Sequence, residues 1–389
     1  MRILHTSDWH IGRTFHGHQT LNALADVLAV LVAQVRSHRV DVVVVAGDVF
    51  DSSTPAAGCY TLLTDTLVAL RETGATVIVT SGNHDSAARL GFQAKLLRDG
   101  IHILTDPLAI GTPITVADAH GPVHFYGIPF LEPTLVRHLW EGLETRTQAQ
   151  TLAHAMELVR SDAAARRADD GTARTVAIAH CFAAGVAATP HLERDIQQGG
   201  LDVVPLSTFN GVDYMALGHI HGRSRLSDTV RYAGAPLHYS FGEGDKPRGS
   251  WLIDLDDAGF AAAQWLDLPV PRPLVTLRGA LDELLTDERF AAVEAAWVRA
   301  EYTDTAQQVD VMRRLQQRFP HCAEVRHAPA VRAVDDGETF AGRVRAARDD
   351  AALVDAFLVH VRNGEGVTAA EAELVREVIG DRVAAKAMA

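Results

Sequence analysis

The sequence predicts an α/β fold in which buried strands alternate with amphipathic helices, joined by a second sheet and followed by smaller C-terminal elements. Three observations carry this. Val42 to Asp51 reads VVVVAGDVFD, and four consecutive valines without a polar interruption describe a strand covered on both faces. Leu21, Leu24, Ala25, Leu28, Leu31, Val32 and Val35 recur at helical spacing between that strand and an earlier one, Arg2 to Thr6. This makes a βαβ unit and hence a parallel pair. Finally, Asp48 stands just past the valine strand, and four other apolar runs are likewise followed at once by Asp, Asn or His. The carboxyl ends of strands are where open α/β sheets place their ligands. Alone, Asp48 would read equally well as a cap for the next helix; the repetition favours a site.

Each element follows in order. Asp8-Trp9-His10 comes directly after the first strand, and in an extended segment residues two apart point the same way. Asp8 and His10 can therefore offer an oxygen and a nitrogen to one ion, the alternative being an Asx turn with an incidental histidine. After Asp51, SSTPAA predicts a helix with Ser52, Ser53 or Thr54 as cap and Pro55 in its first position, running to about Arg71. Ala75 to Thr80 is the third strand, ending in Ser81-Gly82-Asn83-His84-Asp85, and a helix from about Ala87 to Arg98 follows. From Ile101 to Ile128 short segments broken by Gly and Pro predict the second sheet. Thr147 to Arg167 is a long helix. Thr175 to Ala179 is a buried strand ending at His180, and Asp213 to Leu217 is another, ending in Gly218-His219-Ile220-His221. Antiparallel strands are expected at Val230 to Ala233 and Ser250 to Asp254, with a hairpin at Asp256 to Gly259 and a return to Leu266.

Pro269, Pro271 and Pro273 then mark a hinge. Beyond it a small α+β unit is expected, with strands at Leu274 to Leu277, Val298 to Tyr302 and Ala323 to His327 and helices at Phe290 to Trp297 and Ala306 to Phe319. The polar Asp335-Asp336-Gly337-Glu338 separates it from a helical hairpin, Asp350 to Arg362 and Thr368 to Ile379, that turns at Gly364 and Gly366. The domains expected are residues 1–270, 271–330 and 331–389.

Composition sets limits on function. With 389 residues, 47% hydrophobic and 22% charged, the chain reads as an ordinary soluble protein of two or three domains. No apolar run approaches the roughly 18 residues of a membrane span, and the first ten residues lack a signal-peptide pattern. A cytoplasmic location is expected. Cys59, Cys181 and Cys322 are widely spaced and odd in number, which argues against a disulfide framework and a thiolate cluster. A net charge of -13 counts against holding nucleic acid by a broad basic surface, but bound divalent cations or a partner could supply local positive charge.

The collected groups are Asp8, His10, Asp48, Asn83, His84, His180, His219 and His221. An oxygen and nitrogen set without thiolate suits Mn²⁺, Fe²⁺ or Zn²⁺ and is too rich in nitrogen for Ca²⁺. A set of this size is too large for one ion with an open position and too small to saturate two octahedral ones, which is what a two-metal hydrolase needs. Two carboxylates facing two divalent ions leave net positive charge, so an anionic substrate is favoured.

The ordered series DWH, GDVFD, GNHD, His180 and GHIH resembles the calcineurin-like metallophosphoesterases. HTSDWHIGRTF, GDVFDSSTP, GNHDS and YAGAPLHYSFGE at 232 to 243 are similar to the bacterial nuclease branch of that family over almost the whole chain. The resemblance implies an α/β/β/α sandwich of two mixed sheets with a small capping domain and a C-terminal helical hairpin. It implies a DNA nuclease, acting 3′ to 5′ on duplex ends and endonucleolytically on single strands and hairpins. Its service would be in repair, recombination and replication. Two divalent ions are implied, Mn²⁺ first and Mg²⁺, Fe²⁺ or Zn²⁺ as alternatives. Carried over by motif, one ion is held by Asp8, His10 and His221 and the other by Asn83, His180 and His219, with Asp48 bridging. His84 then acts on the reacting phosphate, or else only orients Asn83. Asp51, where some relatives have His, either orients His84 or caps the next helix. The resemblance further implies a homodimer through the nuclease domain, in the region of Tyr60, Leu63 and Leu67 on one helix and Leu90 and Phe92 beside the GNHD turn, and a heterotetramer with an SMC-like ATPase, on whose coiled-coil base the C-terminal helices dock. Two other classes fit the residues: a single-subunit phosphodiesterase for small molecules, and a scaffold that binds DNA ends without hydrolysis.

Overall fold

The structure, a computed structural model, describes residues 1–97, 99–140, 142, 144–184, 203–329, 340–362, 364 and 366–387. Contacts divide the chain into Met1–Pro271 and Arg272–Ala389.

In the first unit two six-stranded sheets stack face to face. The first runs Gly259–Asp267, Gly249–Asp256, Arg2–Thr6, Val42–Ala46, Thr76–Thr80, Ile101–Leu104. Its last four strands are mutually parallel, and the Gly249 hairpin is antiparallel at one edge. The second runs Ser224–Arg225, Val230–Tyr232, Tyr214–Gly218, Arg174–His180, Gly121–Gly127, Ile114–Asp118. The valine strand shows why the layers form. Its side chains alternate in direction, so Val42, Val44 and Ala46 pack with Ile78, Phe125, Val176, Ile178 and Ala216 between the sheets, while Val43 and Val45 pack under Leu24, Leu28 and Leu31 of the Leu21–Ser37 helix. The second sheet is covered on its outer face by Leu152, Met156 and Val159 of the Gln148–Asp169 helix. Helix, sheet, sheet, helix is the calcineurin-like sandwich expected.

Several expectations need correction. Val230–Tyr232 pairs parallel with Tyr214–Gly218 and antiparallel only with the two-residue Ser224–Arg225 strand. Ile101–Leu104 extends the first sheet and not the second. The helix after Asp51 begins at Ala57 with Ala56 as its uncapped N-cap, so Pro55 precedes it. The Ala87 helix spans only Ala87–Leu90, where Ser86 caps it and Gly91 ends it, with a short 3₁₀ turn at Ala94–Leu96; Arg98 lies outside the described residues.

In the second unit Leu274–Gly279, Trp297–Tyr302 and Cys322–His327 form a parallel three-stranded sheet. Leu281 and Leu284 of the Leu281–Thr286 helix and Leu315 of the Val311–Arg318 helix pack on Leu277, Val298 and Ala300. Leu281–Thr286 was not expected, and the expected Phe290 helix is a 3₁₀ stretch, Glu288–Val293, because the next strand already begins at Trp297. The polar stretch at 335–338 lies outside the described residues. Phe340–Ala346, Asp350–Val361 and Ala369–Ala387 are helices, the last two tied by the Arg362–Glu371 ion pair at 2.7 Å. No helix among the described residues is long and apolar enough to cross a membrane.

Candidate metal centre

The parallel strands of both sheets end at the same edge, and the expected ligands converge there. Asp8, Asp48 and Asn83 follow strands of the first sheet; His180, His219 and His221 end or follow strands of the second. The sheets approach closely at this edge because two glycines leave room. A Cβ on Gly218 would overlap the Ala46 carbonyl oxygen, and one on Gly47 would overlap the His180 ring.

Two neighbouring groups form. In the first, Asp8, His10 and His221 bring their ligand atoms within 4.8 Å of one another, with His10 Nε2 3.0 Å from His221 Nε2. In the second, Asn83 Oδ1 stands 2.9 Å from His180 Nε2 and 3.1 Å from His219 Nδ1. Asp48 Oδ2 lies between them, 3.5 Å from His10 Nε2 and 3.4 Å from His180 Nε2. His84, exposed, lies beside the first group, its ring centre 4.9 Å from that of His10. All eight expected residues are therefore brought together, and the two histidines of GHIH go to different groups.

The backbone does this differently from the extended geometry expected. Asp8, His10, Asp48 and His219 have φ of 53°, 45°, 49° and 108°, so these four candidate ligands lie on left-handed backbone. The Asp8, His10 and His219 turns are tied to neighbouring loops: Asp8 N–H donates to the Gly47 carbonyl (3.1 Å), His10 N–H to the Asp48 carbonyl (3.0 Å), and His219 N–H to Asp8 Oδ1 (2.9 Å).

Polar groups around the ligands set their states. His180 Nδ1 donates to the Ala46 carbonyl at 2.9 Å, turning Nε2 to the centre. Asp51, whose role was open, uses its carbonyl to accept from His84 Nδ1 (3.0 Å), while its carboxylate stands 3.1 Å from His10 Nδ1 and 3.2 Å from Arg13. Three residues that motif reading left without a role belong here. Asp85 of GNHD accepts from the N–H groups of Val49, Phe50 and Gly82 and so fixes the Asp48 loop against the Asn83 turn. Ser7 donates to Asp8 at 2.5 Å, and Glu243, within the quoted SFGE segment, backs His221.

Burial is the largest influence on Asp8, His10, Asp48, Asp85, His180 and His219. It drives His10 down to about 4 and His219 to about 3, leaving neutral imidazoles, the form that binds metal. It raises Asp8 and lifts Asp85 to about 6. Against burial, the charge and hydrogen bonding of His180 hold Asp48 well below the ordinary carboxylate range, and the Asp48 and Asp8 carboxylates hold His180 up at about 9.

A divalent ion pair fits these atoms. Cis ligands with bonds of about 2.1 Å stand about 3 Å apart, the spacing seen between His10 and His221 and within the Asn83 group. With the Nδ1 proton of each turned toward Asp51 or Glu243, His10 and His221 would face one another through bare Nε2 lone pairs, an arrangement that calls for a cation between them. The proton held by His180 between Asp48 and Asn83 supplies positive charge of the same kind.

Comparison with known proteins places this chemistry in a class. The chain belongs to the calcineurin-like phosphoesterase family, whose model matches residues 1–223; the model described as the Type 5 capsule protein repressor C-terminal domain matches residues 270–361. Membership implies a dinuclear divalent-metal centre. Among curated proteins the chain is similar to SbcD, the D component of the nuclease SbcCD, from two Escherichia coli strains, at 30% identity over 337 residues, covering 81% of this chain and 81% of the relative. Among solved structures, a dimetal phosphatase from Danio rerio aligns at 14% identity and a TM-score of 0.42, covering 69% of this chain and 96% of its own.

Proposed function

We propose that this chain is the nuclease subunit of an SbcCD-type complex, a metal-dependent phosphodiester hydrolase that cuts DNA ends, hairpins and single strands together with the SMC-like ATPase SbcC. The observation that carries the reading is the convergence of Asp8, His10, Asp48, Asn83, His180, His219 and His221 in two adjoining groups. The relatives' nuclease name and their coverage of both units support it.

In this reading Asp8, His10 and His221 hold one divalent ion and Asn83, His180 and His219 the other, with Asp48 shared, and Mn²⁺ is the first choice. Such a pair would supply positive charge at the phosphate and a nucleophile at neutral pH. The chain's own residues do the rest. His84 has its Nδ1 committed to the Asp51 carbonyl, so its Nε2 serves the substrate and delivers a proton to the leaving oxygen. Asp85 keeps the loops carrying Asp48 and Asn83 in register. Ser7 orients the Asp8 carboxylate.

The tail is proposed as the ATPase dock. Leu353, Phe357, Leu374 and Val378 are 43–60% exposed on its helices, an apolar face suited to a partner helix pair. A homodimer through the nuclease domain is also proposed, but through a smaller set than the resemblance implied. Leu63, Leu67 and Leu90 are buried in the chain's own core, whereas Tyr60 and Phe92 remain exposed. A nucleoid-associated, cytoplasmic setting accords with a DNA substrate.

The test is a digest of duplex, hairpin and single-stranded DNA by the purified chain, with and without Mn²⁺, the ATPase and ATP. Mn²⁺-dependent cleavage is expected, with ATP stimulation on duplexes only when the ATPase is present. Hydrolysis of a chromogenic diester with DNA left intact would instead make it a small-molecule phosphodiesterase, and end binding without hydrolysis a scaffold.

A further inference from the structure

The ligands of the two proposed ions are not supported alike. His221 turns Nε2 to the centre, and its Nδ1 stands 3.5 Å from Glu243 Oε1, two buried atoms that face one another and make no hydrogen bond among the described residues. Glu243 is fully buried. Its other oxygen accepts from Tyr239 N–H at 3.2 Å and lies 3.1 Å from the guanidinium of Arg248, itself 2% exposed. Arg248 in turn donates to the His221 carbonyl at 2.5 Å and to the Ala235 carbonyl at 3.2 Å. The ion pair thus grips His221 by its ring and by its backbone.

A buried ion pair is a poor stabiliser, because desolvating both charges costs about as much as their attraction returns. Its position against one ligand gives it another use. A carboxylate on the far nitrogen of an imidazole fixes the tautomer, aims the near nitrogen and raises its basicity. His10 has the same support, with Asp51 Oδ1 3.1 Å from its Nδ1. His180, by contrast, has its Nδ1 backed, among the described residues, by the neutral Ala46 carbonyl. Among the described residues, Asp51 and Glu243 stand against the imidazoles of the first group and no carboxylate stands on the far nitrogen of an imidazole of the second, while Asp48 and Asp8, which also lies within 4.8 Å of Asp48 and His180, are near both.

We propose that Glu243, held in place by Arg248, is a positioning residue for the ion bound by Asp8, His10 and His221, and that with Asp51 it makes this ion the more tightly held of the two. The inference rests on the two-ion reading above and adds an order of affinity to it.

The experiment is a Mn²⁺ titration of the full chain after chelation, followed by calorimetry and by the electron paramagnetic resonance signal of free Mn²⁺. The wild type should show two unequal sites. Glu243→Gln, close in shape, should weaken the tighter site by about 10- to 100-fold and leave the weaker one in place. Asp51→Asn, at a carboxylate 30% exposed, should do the same and supplies the result if Glu243→Gln fails to fold. A merely structural role would lower the melting temperature without changing the ratio of the two affinities. Two sites of wild-type affinity in a folded variant, or equal weakening of both, would overturn the proposal while leaving the metal reading intact. A wild type that takes up no Mn²⁺ would overturn both.

Discussion

Gly218 is where the packing of the sandwich and the chemistry of the centre meet, and Gly218→Ala should separate them. The new Cβ would overlap the Ala46 carbonyl oxygen and lie 2.8 Å from His180 Nδ1 and 2.9 Å from the Ala46 carbonyl carbon. Ordinary contact begins at 3.4 Å, so even the contact with the Ala46 carbonyl carbon requires the two strands to part by roughly 0.5 Å, and the carbonyl oxygen requires more. The methyl also wedges into the 2.9 Å hydrogen bond that sets the His180 tautomer. Overpacking of this kind costs about 1–3 kcal/mol of stability, which a fold of this size tolerates. Ligands from opposite sheets, Asn83 on one side and His180 and His219 on the other, are meanwhile displaced by the better part of an ångström, and a misplacement of about 1 Å costs about 100-fold in rate. The assay is Mn²⁺-dependent hydrolysis of a chromogenic phosphodiester, read beside a melting curve. The expected result is a folded protein with kcat/KM down about 100-fold. A variant that melts like the wild type and keeps most of its activity would refute the claim that close approach of the sheets at Gly218 sets the centre.

His84→Ala should keep two equivalents of Mn²⁺ by elemental analysis while hydrolysis falls about 10²- to 10⁴-fold; Asp48→Ala should lose both ions, and equal metal loss in the two variants would contradict the division of roles. The metal-free protein should lose stability as pH rises. His180 is held up at about 9 against an ordinary 6.5, so its contribution is full below 6.5 and is lost as pH climbs through 9; melting temperatures in chelator across that window should fall, and fall less in Asp48→Asn. Over the same window Mn²⁺ affinity should rise with pH, because the proton on His180 competes with the ion. Leu353→Glu with Phe357→Glu, at exposed positions of the tail, should abolish co-purification with the ATPase and leave Mn²⁺-dependent cleavage of single strands unchanged.

Much of the fold was legible because the valine strand and the Leu21 helix have opposite periods and each is uninterrupted. Strand pairing was less so. Val230–Tyr232 gives no sign in its three residues that it lies parallel to Tyr214–Gly218, since the connection through Ser224–Arg225 decides that. Helix starts failed where the cap is not a side chain: SSTP offered three hydroxyl caps, yet the helix starts at Ala57 after an uncapped Ala56. Among the apolar residues of the expected dimer face, Leu63 and Tyr60 look alike in sequence and, three residues apart, lie near one another on the helix, yet Leu63 is buried while Tyr60, at the margin of the buried stripe, is 37% exposed.

The centre was legible as a set of residue types and not as a backbone. Asp8 and His10 do meet on one group, but the argument from extended alternation is not the reason. Both are left-handed, as are Asp48 and His219, so four of the eight non-glycine residues with positive φ among the described residues are proposed ligands. Such conformations cost about 1–3 kcal/mol each and persist only where the surroundings over-determine them. Here the surroundings are specific: Gly47, Asp48 and Asp8 supply the acceptors that three of these residues need, and Asp85 closes the Asp48 loop with three N–H bonds. A strand's carboxyl end gives a ligand its neighbourhood; the turn gives it direction. Two sheets whose strands end together in strained turns can aim seven donors inward without any one loop being long, and a chain with a net charge of -13 can in this way confine the positive charge that a phosphate needs to a single edge of the sandwich.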